Sequence, residues 1–161
     1  MAVRRFCALA LLLAGPALAG EWRSYHNDRF GPTADYPAGW KMEPEPENND
    51  GRRFSSPDGD AFVIISGHFA LDSRDEEMAR KAEPDDGETV AYSAKGKDWV
   101  VLSGTRDNRI FYRKAVLSCG DQVWNTLTIE YPAEEKARYD RLVSHMAASL
   151  RPGIGYNIAC K

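Results

Sequence analysis

Arg113, Trp124, Thr126, Thr128 and Glu130 bring together, within two strand-like runs, the residue types that could bind something small. A guanidinium in the middle of a sheet must find a carboxylate, an exit to solvent or an anionic ligand. An indole beside it offers a flat binding floor. Two arrangements satisfy the arginine. In the commoner one its stem packs along the sheet and its head pairs with Glu130. In the other, Arg113, Trp124, Thr126 and Glu130 form a ligand-binding face for a small anion.

Other residues with chemical potential lack partners at the required spacing. His26, His68 and His145 stand far apart, none in a pattern such as His-Glu-x-x-His, so no metal site is expected and solvated or hydrogen-bonded imidazoles are the default. Asp58 and Asp60 suggest calcium, but an EF-hand loop starting at Asp58 needs a Glu at position 69, which is Phe69; a turn is the simpler reading. Ser66 and Ser103 each precede a Gly without forming Gly-x-Ser-x-Gly. Arg52-Arg53, next to the acidic stretch Glu43 to Asp50, reads as a solvated charge run. No residue is assigned a catalytic role and no cofactor is implied. An exposed Ser or His paired with a carboxylate in a closed cleft would instead favour a hydrolase.

The elements that must position these residues lie between Trp99 and Arg151. Trp99 to Arg106, Arg109 to Leu117 and Gln122 to Tyr131 are rich in Val, Ile, Thr and aromatics, and are joined by Asp107-Asn108 and Ser118-Cys119-Gly120-Asp121. Links this short predict consecutive antiparallel hairpins. Closing the first at Arg106 and Arg109 sets Leu102 opposite Arg113. Closing the second at Leu117 and Gln122 sets Arg113 opposite Thr126 and Arg109 opposite Glu130, an opposite-charge pair. A helix follows, with Pro132 at its first position, Glu134 and Glu135 in its first turn and Pro152-Gly153 as its stop. Its stripe of Tyr139, Leu142, Val143, Met146 and Leu150 must be buried, and the sheet is the obvious partner. Both sheet faces are apolar enough to need cover, so a helix is expected on each side, the second face sealed less completely.

Upstream, Arg53 to Ser56 and Ala61 to Phe69 flank the turn Pro57-Asp58-Gly59-Asp60 as a further hairpin. Asp72 or Ser73 caps a charged surface helix reaching about Glu83, and Thr89 to Ala94 adds a strand. The fold class is α+β, an antiparallel sheet flanked by helices.

At the N-terminus, Arg4-Arg5, the apolar run Ala8 to Ala14 and Ala17-Leu18-Ala19 have the form of a secretory signal, too short to span a membrane. Residues 1–19 are therefore expected to be cleaved, leaving 20–161 as a single domain that is exported, periplasmic or secreted. Without Arg4 and Arg5, 19 of the 21 basic residues remain against 24 acidic ones, a net charge of −5. That balance argues against nucleic acid or an anionic membrane as the main partner. Cys119 and Cys160 remain after cleavage, and two cysteines in an oxidising compartment most often form a disulfide; free thiols or a metal pair are the rival reading.

After cleavage the chain opens with Tyr25, Asn27, Arg29, Phe30 and Gly31, then Tyr36-Pro37 and Trp40. This Tyr-x-Asn-x-Arg-aromatic-Gly pattern, followed by Tyr-Pro and Trp, resembles the PsbP-like family, which includes an extrinsic photosystem II subunit, a small eukaryotic Ran-binding protein and many bacterial exported proteins. The motif spans about 16 residues, and the closing strand and helix are also similar to that family. Pro32 departs from it, because it cannot donate to a strand ladder. The resemblance implies a PsbP-like α/β/α sandwich and an accessory or binding role without chemistry. The same residues are also turn formers and aromatics able to pin the segment to the sheet, which makes them scaffold before contact site. The function expected is a noncatalytic binding or accessory protein of the bacterial cell envelope, with an envelope protein as possible partner. A periplasmic enzyme, or a carrier of small anionic ligands, is the alternative.

Overall fold

The computed structural model describes residues 21–157 and 160, and the expected signal peptide lies outside them. In chain order the elements are β1 (Trp22–His26), β2 (Thr33–Pro37), β3 (Lys41–Met42), β4 (Gly51–Ser55), β5 (Phe62–Phe69), α1 (Arg74–Lys81), β6 (Thr89–Lys95), β7 (Trp99–Arg106), β8 (Arg109–Ser118), β9 (Val123–Pro132) and α2 (Lys136–Ser149). Seven strands form one antiparallel sheet in the order β3-β4-β5-β9-β8-β7-β6, and β1-β2 make a separate two-stranded ribbon.

The β7–β8 turn is as the sequence predicts. Asp107 and Asn108 both adopt positive φ, 47° and 60°, and Leu102 stands opposite Arg113. The β8–β9 register does not follow the prediction. Leu117 pairs with Trp124 rather than Gln122, so Arg113 faces Thr128, and Arg109 faces Pro132. The wider turn absorbs the difference: Cys119, Gly120 and Asp121 all take positive φ, and Gln122 N–H closes onto the Ser118 carbonyl at 3.0 Å. A shift of two residues preserves which face every side chain occupies, so Arg113, Thr126 and Thr128 still share one face.

One face carries Phe54, Val63, Ile65, Leu127, Ile129 and Tyr131. It packs under α2 and the ribbon, whose Tyr139, Val143, Met146, Ala34 and Tyr36 complete the main core. Each of the Val, Ile, Leu, Phe and Met side chains among them contributes about 1.5–3 kcal/mol by leaving water. Pro132 does not open the helix. The ladder runs on to Arg109–Pro132, a 3-10 turn over Ala133–Glu135 intervenes, and α2 begins at Lys136. The opposite face is covered by α1, whose Met78, with Ala82 just after the helix, meets Val100, Leu102 and Phe111, with Ala115, Leu117 and Trp124 alongside. Ser73 and Glu76 cap α1 reciprocally. With eight residues, this helix seals only part of the face.

The sheet edges differ from its middle. β3 has two residues, and β6 carries a register irregularity between Val90 and Tyr92. The motif residues of the opening serve as scaffold. Asn27 is fully buried; its Oδ1 accepts from Phe30 N–H at 2.8 Å and its Nδ2 donates to the Asn49 carbonyl at 3.0 Å. Gly31, at φ +92°, lies against Gly153, where a Cβ would come within 2.5 Å of the Gly153 carbonyl carbon. That contact lets the segment after α2 run beside the β1–β2 turn, with Tyr156 N–H on the Asp28 carbonyl at 2.8 Å. It leads to Cys160, which meets Cys119 at a Cα separation of 4.5 Å, compatible with a disulfide.

Candidate functional site

α1 stops short of covering the strands beneath it, and the gap is a cavity of about 420 Å³ between the helix, the loop after it and the exposed half of β5, β9 and β8. Its floor is Ser66, Thr126, Thr128 and Arg113, with Val100, Leu102 and Ala115 to one side and His68, Arg80, Lys81 and Asp85 around the wall. The floor is polar because alternate residues of β5 and β9 point this way, and here they are hydroxyls. Ser66 Oγ and Thr126 Oγ1 are hydrogen-bonded at 2.7 Å.

Of the residues predicted to form a binding face, the cavity brings together Arg113 and Thr126. Trp124 and Glu130 stand elsewhere. Trp124 is fully buried beneath α1, where its Nε1–H donates to Glu77 Oε2 at 2.7 Å. Glu130 pairs with Arg106 at 2.7 Å and with Arg109 at 3.6 Å. The predicted partnership of Arg113 with Glu130 is therefore not the one formed. Arg113 instead reaches into the loop after α1, pairing with Asp85 and, at 2.7 Å, with Glu88, and donating to the Glu83 carbonyl at 3.5 Å. Glu88, its side chain 2 % exposed, also faces Arg106 at 3.8 Å. Asp85, Arg113, Glu88, Arg106, Glu130 and Arg109 thus alternate in sign along this side of the sheet.

The charges around the cavity are unequally matched. Arg80 is held by Asp72 and, at 3.5 Å, by Glu77, and Arg113 by its two carboxylates. Lys81 forms no ion pair among the described residues; its ammonium lies 5.6 Å from the centre of the Trp124 ring. Burial, together with the Arg113 and Arg80 charges, pulls its pKa below the usual lysine value, opposed by Glu77 and Asp85. His68, also half-buried, is brought down to about 4, first by burial and then by Lys81, against the weaker pull of Glu77 and Asp50. The imidazole is therefore neutral at neutral pH. Sequence reasoning missed Lys81 and, although it weighed His68 as a lone imidazole, did not place it with Arg113 and Thr126, because neither residue belongs to the three-strand unit; their signal was being the last cation of one helix and the end of a neighbouring strand.

The remaining candidates resolve individually. His26 bonds to Thr33 Oγ1 at 3.0 Å. His145 meets Asp35 at 3.0 Å and stacks on Trp22 at 3.8 Å, on an open surface where its side chain is 42 % exposed. Ser103 donates to the Phe111 carbonyl at 2.8 Å within β7. Asp58 accepts from Ser56 and from the Asp60 amide in the predicted turn. Arg52 pairs with Glu45 at 2.7 Å, and Arg53 lies over the Phe62 ring at 3.6 Å. Among the described residues no helix is long and apolar enough to cross a membrane.

A seven-stranded antiparallel sheet, covered by a long helix with a strand ribbon on one face and a short helix on the other, is an α+β architecture of the PsbP-like fold. Cyanobacterial PsbP (CyanoP) from Synechocystis superposes with a TM-score of 0.60 at 12% identity, over 87% of this chain and 98% of that one. The Ran-binding protein Mog1p of Saccharomyces cerevisiae superposes with a TM-score of 0.54 at 8% identity, over 83% and 96%. LpqN, involved in cell envelope biogenesis of Mycobacterium tuberculosis, gives 0.49 at 14% identity, over 83% and 91%. No family model and no curated protein matches the sequence.

Proposed function

We propose that this chain is an exported, noncatalytic binding or accessory protein of the bacterial cell envelope. The observation that carries the reading is the shared fold, which takes in nearly the whole of CyanoP and of the Ran-binding protein Mog1p. The signal-like N-terminus and the meeting of Cys119 with Cys160 support export into an oxidising compartment. The groove between Trp22, Pro37, Trp40, Pro57 and Leu142 offers such a protein an apolar contact surface outside the charged side of the sheet.

The test is crosslinking of the mature protein in its native envelope fraction, with identification of what copurifies. One stoichiometric protein partner, reduced by Trp22→Ala in a folded variant, is the expected result. No enrichment above background overturns the reading.

A further inference from the structure

We propose that the cavity beneath α1 binds a small organic oxyanion, its charged head at Lys81 and His68 and its apolar body against Val100, Leu102 and Ala115. The inference goes beyond the accessory reading and does not depend on a protein partner.

Size and shape come first. A concavity of about 420 Å³ is within the range of small-ligand sites, which are typically about 300–1,000 Å³. Its lining combines one apolar wall with convergent polar groups, as such sites do.

Charge matching then selects the ligand. Arg113 and Arg80 each hold two carboxylates, so their charges are met within the fold. Lys114, which also lines the cavity, donates to the Ala147 carbonyl at 2.7 Å, so among the described residues Lys81 is the lining cation with neither an ion pair nor a hydrogen bond. The end of α1 and the Trp124 ring offset part of the cost of its burial, since a helix C-terminus and an indole face both favour a cation. The ammonium nevertheless forms no hydrogen bond to a protein acceptor among the described residues, which leaves its three donors to place. An oxyanion supplies an acceptor. Ser66, Thr126 and Thr128 bring hydroxyls to the same floor, and His68 brings an imidazole that carries one N–H donor when neutral and two when protonated.

The acidic residues shape the mouth rather than oppose the site. Asp85, with its side chain 64 % exposed, occupies Arg113 from the rim. An entering anion meets that carboxylate as a competitor, so removing its charge strengthens binding.

Binding also takes up a proton. The groups facing His68 are Lys81 and Glu77 on α1, Asp50 just before β4 and Trp124 on β9. An anion beside the ring adds negative charge to this set and raises the imidazole from its unliganded value of about 4. Affinity therefore rises as pH falls, by up to about tenfold per unit between the free and bound pKa values.

The experiment is a pH titration of the three histidine rings by NMR on the purified mature protein, alone and with inorganic phosphate or hexanoate. Expected is an upward shift of the His68 pKa with at least one probe, while His26 and His145 stay unchanged. A response to phosphate alone assigns a phosphoryl head; a response to hexanoate alone assigns a carboxylate carried on an apolar stem. Lys81→Met abolishes the shift, and Asp85→Asn tightens binding several-fold. If neither probe moves His68, or if folded Lys81→Met binds as wild type does, the inference is overturned. Neither result bears on copurification from the envelope, so the two proposals fail separately.

Discussion

Removing the carboxylate of Glu77 strands several donors at once. Glu77, 3 % exposed, accepts from Trp124 Nε1–H at 2.7 Å and from the backbone amides of Leu71 and Asp72 at 3.0 and 3.2 Å, with Arg80 at 3.5 Å. Burial pushes its pKa up, but the hydrogen bonds from Leu71, Trp124 and Asp72 and the Arg80 charge outweigh it, and the net result is below the usual value of 4.5. Glu77→Ala is expected to cost about 2–4 kcal/mol in urea unfolding, the scale for leaving buried polar groups unpaired. Glu77→Gln keeps an acceptor and costs less. Because the folded-state pKa is depressed, the carboxylate's contribution is present above about pH 4.5 and is lost as pH falls through the folded value. The wild-type advantage over Glu77→Gln therefore narrows below that pH; an advantage constant from pH 7 to pH 3 would contradict this account.

At the scale of elements, one arginine ties a loop to a sheet. Arg113 is rooted in β8 and grips Asp85, Glu88 and the Glu83 carbonyl, 25 to 30 residues away in sequence. Arg113→Met leaves the buried Glu88 carboxylate with the Asp85 amide at 2.8 Å and, as its remaining cation, Arg106 at 3.8 Å. Amide exchange over residues 83–88 should accelerate about tenfold or more while β8 and β9 stay protected, with a stability loss of about 1–3 kcal/mol. Uniform exchange across the sheet would show that the arginine acts globally instead. Strands β4 to β9 and both helices were legible because each rests on local pattern: Asp107-Asn108 for a tight turn, the Tyr139 to Leu150 stripe for α2, alternation for the sheet. The β1–β2 ribbon, set among turn formers on either side of Pro32, and the two-residue β3 were not. Nor was the β8–β9 register. A four-residue link permits two closures that differ by an even step, and both bury the same side chains. The candidate site was half legible for a related reason. Arg113 announced itself as a charge in mid-sheet, but the residues that answer it, and the Lys81 and His68 that share its cavity, come from elements whose placement only the tertiary fold decides.

At the scale of the whole molecule, the segment after α2 returns across the opening turn to bring Cys160 to Cys119, closing a loop with a sequence separation of 41. Chain-entropy arguments give about 4 kcal/mol for such a closure. Reduction, or the paired change Cys119→Ser with Cys160→Ser, should lower the urea midpoint accordingly; an unchanged midpoint would mean that the two sulfurs are not joined in solution. The sheet itself has a further consequence. Its outer strands are a two-residue fragment, β3, and a strand, β6, whose pairing breaks step at Ala91 and which ends on a lysine. Neither presents a long flat row of free amides and carbonyls, which is the template on which neighbouring molecules stack strand to strand. The margins of the seven-stranded sheet thus resist strand-to-strand growth into fibres by their own irregularity.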